Sequence, residues 1–137
     1  MAIFETEIVV RFADCDPSGI VFYPRYFDMA HLAVERFFEE RLNWSFVTLQ
    51  KVEGVTVPLA KTEATVLDPC WLEERLVLHL QIVHLGRSTV TIAIDVLCDG
   101  QKRVSLRKSL VCMQVGQQKS SPWPIVLRSA MEMFQED

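Results

Sequence analysis

Apolar and polar residues alternate along most of this chain, and the period becomes helical in only two stretches. In Glu5–Phe12, Thr6, Ile8, Val10 and Phe12 share one face, which predicts a first strand. From Pro24 to Leu42 the period becomes helical. Phe27, Ala30, Val34, Phe37 and Phe38 recur at three- and four-residue steps, with Glu35, Arg36, Glu39 and Glu40 largely opposite. Pro24 suits the first turn of that helix, where its missing N–H costs nothing. Its large aromatics predict substantial burial. The remainder reads as strands: Val55–Leu67, broken by Pro58, then Arg75–Leu85, Ser88–Cys98 and Arg103–Val115. Gly86-Arg87 and Asp99-Gly100 mark turns between them. Ile125–Phe134 predicts a short terminal helix. The order β-α-β-β-β-β-α with short connections implies an antiparallel sheet covered by one long helix, an α+β fold in a single domain spanning residues 1–137.

Composition narrows the class. With 50% hydrophobic and 23% charged residues, disorder is excluded, and 5 Gly and 6 Pro exclude collagen-like or low-complexity chains. The apolar share is high for 137 residues, and so thin a sheet leaves edges and faces to cover; both point to self-association. A net charge of −4 argues against a broad surface for nucleic acid, but leaves room for one small anion held by a few local cations. The four cysteines form no C-x-x-C pair, and Cys70, Cys98 and Cys112 lie in apolar or strand-like runs expected to bury them. The opening MAIFETEIVVRF lacks the features of a signal peptide, and no apolar run approaches a membrane span. The expectation is a soluble, cytoplasmic chain without a membrane partner.

The least ordinary segment is Asp14-Cys15-Asp16-Pro17-Ser18-Gly19. Its D-x-D-x-S-G opening matches a calcium loop, but position twelve is Arg25 where a bidentate Glu is needed, Pro17 interrupts the loop, and no helix precedes it. No metal is expected here. A second reading is catalytic. Asp16 lies in a tight turn ahead of a buried helix, whose free N–H groups near Tyr23 can polarise a carbonyl, and a nearby carboxylate can attack that carbonyl or activate water. On spacing alone, a turn with Asx caps is the simpler account.

The run from Phe12 through Asp16, Gly19 and Tyr23 to Tyr26, FADCDPSGIVFYPRY, closely resembles the signature of the 4-hydroxybenzoyl-CoA thioesterase family. The resemblance implies the hotdog fold, a five-stranded antiparallel sheet wrapped around a long central helix. It also implies hydrolysis of an acyl-CoA without cofactor, by a homo-oligomer, a dimer of dimers with sites at the dimer interface. Carried over by position, Asp16 is the catalytic carboxylate, as nucleophile or general base. The Tyr23 backbone N–H is the donor to the thioester carbonyl. Gly19 lets the loop approach substrate, and Asp14 is a secondary acidic position whose plain role is to cap the turn. Arg87 and Ser88 fall where the family's turn lies beside CoA, and an Arg fork with a hydroxyl suits a phosphate; a solvated turn is the plain alternative.

Two positions depart from the family pattern. Arg25 places an unusual charge beside the catalytic turn. His31 stands where members acting on hydroxylated aromatic acids can carry an acid, so the expected substrate is a small or aromatic acyl-CoA rather than 4-hydroxybenzoyl-CoA itself. His31 is a candidate to line the acyl pocket or meet a partner, although a lone histidine on a buried helix is ordinarily packed in the core. Arg103 and Arg107, sharing a strand face, could meet nucleotide phosphates or face water. His79 and His84, five apart on a strand, should lie on opposite faces. No G-x-S-x-G surrounds any serine, which argues against a serine hydrolase. Two alternatives stand beside the acyl-CoA thioesterase: action on acyl carrier protein, which needs a basic docking face, and a non-catalytic binding or assembly module, which has no use for Asp16.

Overall fold

The structure, a computed structural model, describes residues 2–136. Strand β1 (Phe4–Val9) leads through a 3-10 turn (Phe12–Asp14) to helix α1 (Arg25–Glu40). A short helical turn α2 (Phe46–Thr48) runs into a π-turn, Leu49–Glu53. Strands β2 (Val55–Thr56), β3 (Leu59–Val66), β4 (Arg75–Leu85), β5 (Thr89–Cys98), β6 (Gln101–Val111) and β7 (Met113–Gln114) follow, then helix α3 (Ile125–Glu132). The main sheet has the order β1-β4-β5-β6-β3, antiparallel throughout, and β2 and β7 form a separate two-stranded ribbon.

Period-two alternation in β4, β5 and β6 turns one apolar face of the sheet toward α1. Leu78, Leu80, Ile92, Ile94 and Leu106 are buried there. Helix α1 answers with Tyr26, Met29, Ala30, Ala33, Val34, Phe37 and Phe38, all buried at helical spacing. Phe37 is the hub, with ring centroids 5.5 Å from Phe4 and 5.0 Å from Phe134. Truncating such a ring to alanine costs about 3–5 kcal/mol. α3 therefore docks where β1, β4 and the end of α1 converge.

Several boundaries differ from the alternation pattern for local reasons. β1 stops at Val9. The Val10 backbone still bonds with the 73–74 turn, but the Asp14 carboxylate then accepts the Arg11 N–H at 2.9 Å and curls the chain into the 3-10 turn. Phe12 consequently leaves the strand face and is 83% exposed. Pro58 separates β2 from β3, and Cys112 separates β6 from β7. A register shift between Ile82 and His84 inserts one extra residue into β4, so Leu85 returns to the core and His84 joins His79 on the outer face. The two histidines thus share a face, contrary to simple alternation. A second shift, at Val96/Leu97, leaves Arg103 unpaired in β6 and re-aims its side chain away from the row holding Arg107. Cys70, Cys98 and Cys112 are buried free thiols, as their contexts predict.

Candidate active site

Asp16 occupies the tip of a small hairpin. Cys15 pairs with Val21 across it. The Asp16 N–H bonds to the Ile20 carbonyl at 3.0 Å, and the Gly19 N–H bonds to the Asp16 carbonyl at 3.0 Å. Gly19 has φ +88°, a conformation that side chains rarely tolerate, while a Cβ there would meet nothing within 4 Å; the backbone angle, not crowding, demands glycine. Ser18 closes the turn on the carboxylate. Its N–H (2.8 Å) and its hydroxyl both donate to Asp16 Oδ1. These donors stabilise the anion and hold the Asp16 carboxyl below its ordinary range, so it is ionised at neutral pH. Oδ2 has no protein donor among the described residues.

The hairpin is docked on the loop ahead of β4. The Val21 N–H bonds to the Cys70 carbonyl at 2.9 Å, the Leu72 N–H to the Gly19 carbonyl at 3.0 Å, and Ile20 bridges Trp71. That loop is pinned twice. The Tyr26 hydroxyl accepts the Cys70 N–H at 3.0 Å; burial pushes this phenol up to about 12, so it stays protonated. Arg103 holds Glu74 through two bonds of 3.0 Å and donates to the Pro69 carbonyl at 2.8 Å. Arg103 is therefore neither a phosphate ligand nor solvated. Ser18 carries a sequence signal, the Asp-x-Ser of an Asx turn. The Glu74–Arg103 pair carries none, because its members lie 29 residues apart and meet only in the fold.

Helix α1 begins immediately beyond. The Arg25, Tyr26 and Phe27 N–H groups turn back to Phe22, Tyr23 and Pro24, whereas the Tyr23 N–H has no partner among the described residues. It stands at the positive end of a 16-residue helix. Asp16 and Tyr23 line one groove of about 380 Å³ together with Ile20, Val21, Phe22, Tyr26, Val66 and Pro69. A second groove of about 460 Å³, walled by Phe12, Cys15, Pro17, Gly19 and Leu72, meets the first at Asp16. Phe12, Phe22, Trp71 and Leu72 leave apolar surface exposed around both. A third groove, of about 450 Å³ between β1 and α1, is lined by Asp14, Asp28, Arg11 and Arg36 but does not include Asp16.

The remaining sequence candidates lie elsewhere. Arg25 pairs with Asp28 at 3.3 Å and donates to the Ala13 carbonyl at 3.2 Å, so it braces the 3-10 turn against the helix. Asp14 caps that turn. His31 is exposed, not packed in the core as a histidine on a buried helix is expected to be. Arg87 and Ser88 sit in the β4–β5 turn, where the Arg87 carbonyl accepts the Trp123 N–H and the Ser88 carbonyl the Cys112 N–H. The 11 residues of β4 separate that turn from the Asp16 loop, about 33 Å at the usual strand rise. Within one protomer, Asp16, Gly19 and Tyr23 come together, and Arg87, Ser88 and His31 do not join them.

The antiparallel five-stranded sheet packed against the 16-residue α1 is a hotdog architecture. Residues 10–131 match the thioesterase-like superfamily, and the chain belongs to that superfamily. The 1,4-dihydroxy-2-naphthoyl-CoA hydrolase of Synechococcus elongatus is 22% identical over 144 residues, covering 97% of this chain and 98% of the relative. A 1,4-dihydroxy-2-naphthoyl-CoA thioesterase from Synechocystis superposes with a TM-score of 0.87 at 21% identity, over 95% of this chain and 96% of its own. A thioesterase superfamily structure from Jannaschia sp. reaches 0.91 at 23% identity, over 99% and 95%.

Proposed function

We propose that this protein is an acyl-CoA thioesterase in which Asp16 drives hydrolysis and the Tyr23 N–H polarises the thioester carbonyl. One observation carries the reading: Asp16, ionised and with Oδ2 uncommitted, and Tyr23, whose helix-start N–H is likewise without a partner among the described residues, line the same groove. The carbonyl oxygen accepts from Tyr23. Asp16 then takes a proton from water as hydroxide adds to the carbonyl carbon, and the C–S bond breaks with that proton passing to the CoA sulfur. Direct attack by Oδ2 to give an anhydride, followed by hydrolysis, reaches the same free acid and CoA. The substrate read from the aromatic and aliphatic walls is a small or aromatic acyl-CoA. The coverage of both curated and solved relatives, named for hydrolysis of a hydroxynaphthoyl-CoA, supports this class.

The whole chain is read as one hotdog domain forming a homo-oligomer. Strand β3 is a largely exposed sheet edge, with Val66 and the following Leu67 open beside the groove, so pairing with a second copy would both satisfy the edge and wall the site. A second subunit is also what would bring Arg87 and Ser88 toward a CoA bound at Asp16. Free-thiol release over a panel of aromatic, short, medium and long acyl-CoAs tests the proposal, with the same acyl groups on acyl carrier protein as the competing arm. Asp16-dependent turnover of one CoA class is expected. No turnover across the panel would shift the protein to a binding or assembly role.

A further inference from the structure

Strand β6 turns Val104, Leu106, Lys108 and Leu110 to the core face, and all four are buried. Lys108 is only 3% exposed and is the one charged side chain buried among the described residues. Among the described residues it makes no side-chain hydrogen bond and no ion pair within 4.0 Å. Burial pulls its ammonium below the usual lysine range, and the charge that opposes this is Asp28, on the first turn of α1, whose carboxylate is already paired with Arg25. Directly opposite Lys108 in register stands Thr62 of β3, whose buried Oγ1 has no hydrogen-bond partner among the described residues. A buried lysine and an unpartnered threonine hydroxyl in register across two strands are costly in an apolar layer unless a polar ligand meets them.

Their position suggests what does. The groove holding Asp16 runs to Val66 and Tyr23, and the Tyr23 hydroxyl reaches the Ala64 carbonyl at 3.5 Å. Thr62, Ala64 and Val66 point to the same face of β3, so Thr62 lies about 7 Å beyond Ala64 along that row. Tyr23, half-exposed and packed edge-on against Phe27, thus lines the groove and reaches the β3 row that carries Thr62. Resting on the thioesterase reading above, we propose that Lys108 and Thr62 form the far end of the acyl site and bind a carboxylate at the end of the acyl group remote from the thioester. The substrate class is then an ω-carboxyacyl-CoA. A formal anion matches an unpaired ammonium better than a neutral hydroxyl does, and the Thr62 hydroxyl supplies a donor to the second oxygen.

Adipyl-CoA and hexanoyl-CoA have the same chain length and differ at the terminus, carboxylate against methyl. Turnover and equilibrium affinity for both are measured in the wild type, Lys108→Met and Thr62→Val, with 4-hydroxybenzoyl-CoA against benzoyl-CoA as the phenol arm and melting curves to check folding. The wild type should favour adipyl-CoA at least about tenfold, and Lys108→Met should lower that preference on the order of 100-fold. Thr62→Val, which keeps the side-chain shape, should lower it less. A wild-type preference for hexanoyl-CoA overturns the proposal. So does a preference that neither variant changes, a Lys108 dependence confined to the phenol pair, or a Lys108→Met variant that only dissociates the oligomer. Lys108-dependent binding of adipyl-CoA without any hydrolysis would sink the thioesterase reading and leave this one standing. Asp16-dependent hydrolysis indifferent to Lys108 would do the reverse.

Discussion

Arg103 and Glu74 meet in a two-pronged ion pair, Nη1 to Oε1 and Nη2 to Oε2, each 3.0 Å, with side chains only 13% and 24% exposed. The pair locks the 69–74 loop to the end of the sheet, and that loop carries the backbone groups on which the Asp16 hairpin is docked. Disrupting it should therefore affect stability and turnover together. Glu74→Gln is expected to cost about 2 kcal/mol, because it leaves a largely buried guanidinium with only the exposed Asp68 carboxylate, 3.8 Å away, as its counter-charge. It should also lower kcat more than it raises KM, as the hairpin loosens. Thermal melts and steady-state kinetics on the same preparation check this. Unchanged melting would show that the pair is dispensable.

The same pair sets an acid limit to stability. Hydrogen bonds from Arg103 hold the Glu74 carboxyl below the 4.5 it would have when free. The unfolded chain therefore takes up this proton before the folded one does. The stabilisation is complete above that ordinary value and fades as pH falls through the lower folded-state value. Denaturant midpoints of the wild type should fall from about pH 5 downward, and Glu74→Gln should show a shallower fall. Identical slopes would contradict the linkage.

Asp16 is poised as an anion by Ser18. The acid limb of kcat/KM should lie below the ordinary aspartate value of 3.8, with activity flat from weakly acidic to neutral pH. Ser18→Ala removes the hydroxyl donor and should move that limb upward while leaving the turn folded. Asp16→Asn should keep the fold and lose turnover by about 10²-fold or more. An Asn variant as fast as the wild type would remove Asp16 from the mechanism.

Gly19 is constrained by its backbone. Gly19→Ala should destabilise by about 1 kcal/mol and distort the turn, although the methyl meets no neighbour. Lower activity than the melting change explains would fit a displaced carboxylate. A fully active, fully stable alanine variant would show that the turn accommodates another conformation.

Strand β3 offers an unpaired edge flanked by exposed Val66 and Leu67. Size-exclusion chromatography with light scattering should give a multiple of 15.7 kDa. A charge at the edge, Val66→Lys, should weaken assembly. A fully active monomer would be incompatible with a site completed by a second copy.

Much of this architecture was legible in the chain because it rests on local periods. Alternation delimits β4 to the residue, and the three- and four-residue stripe marks α1 within two residues at either end. The D-x-D-P-S-G turn stood out because its chemistry is contiguous, so Asp16, Gly19 and Tyr23 could be named together. Lys108 was also readable in principle, as a charge set between Leu106 and Leu110 on an apolar strand face. Other features arose only when distant segments met. Extra residues in β4 and β6 reversed the face of His84 and re-aimed Arg103, and a bulge has no periodic signature. The exposure of His31 depended on which side of α1 the sheet covers. The Glu74–Arg103 clamp and the facing of Thr62 with Lys108 are set by strand register, a long-range property that neither segment encodes alone.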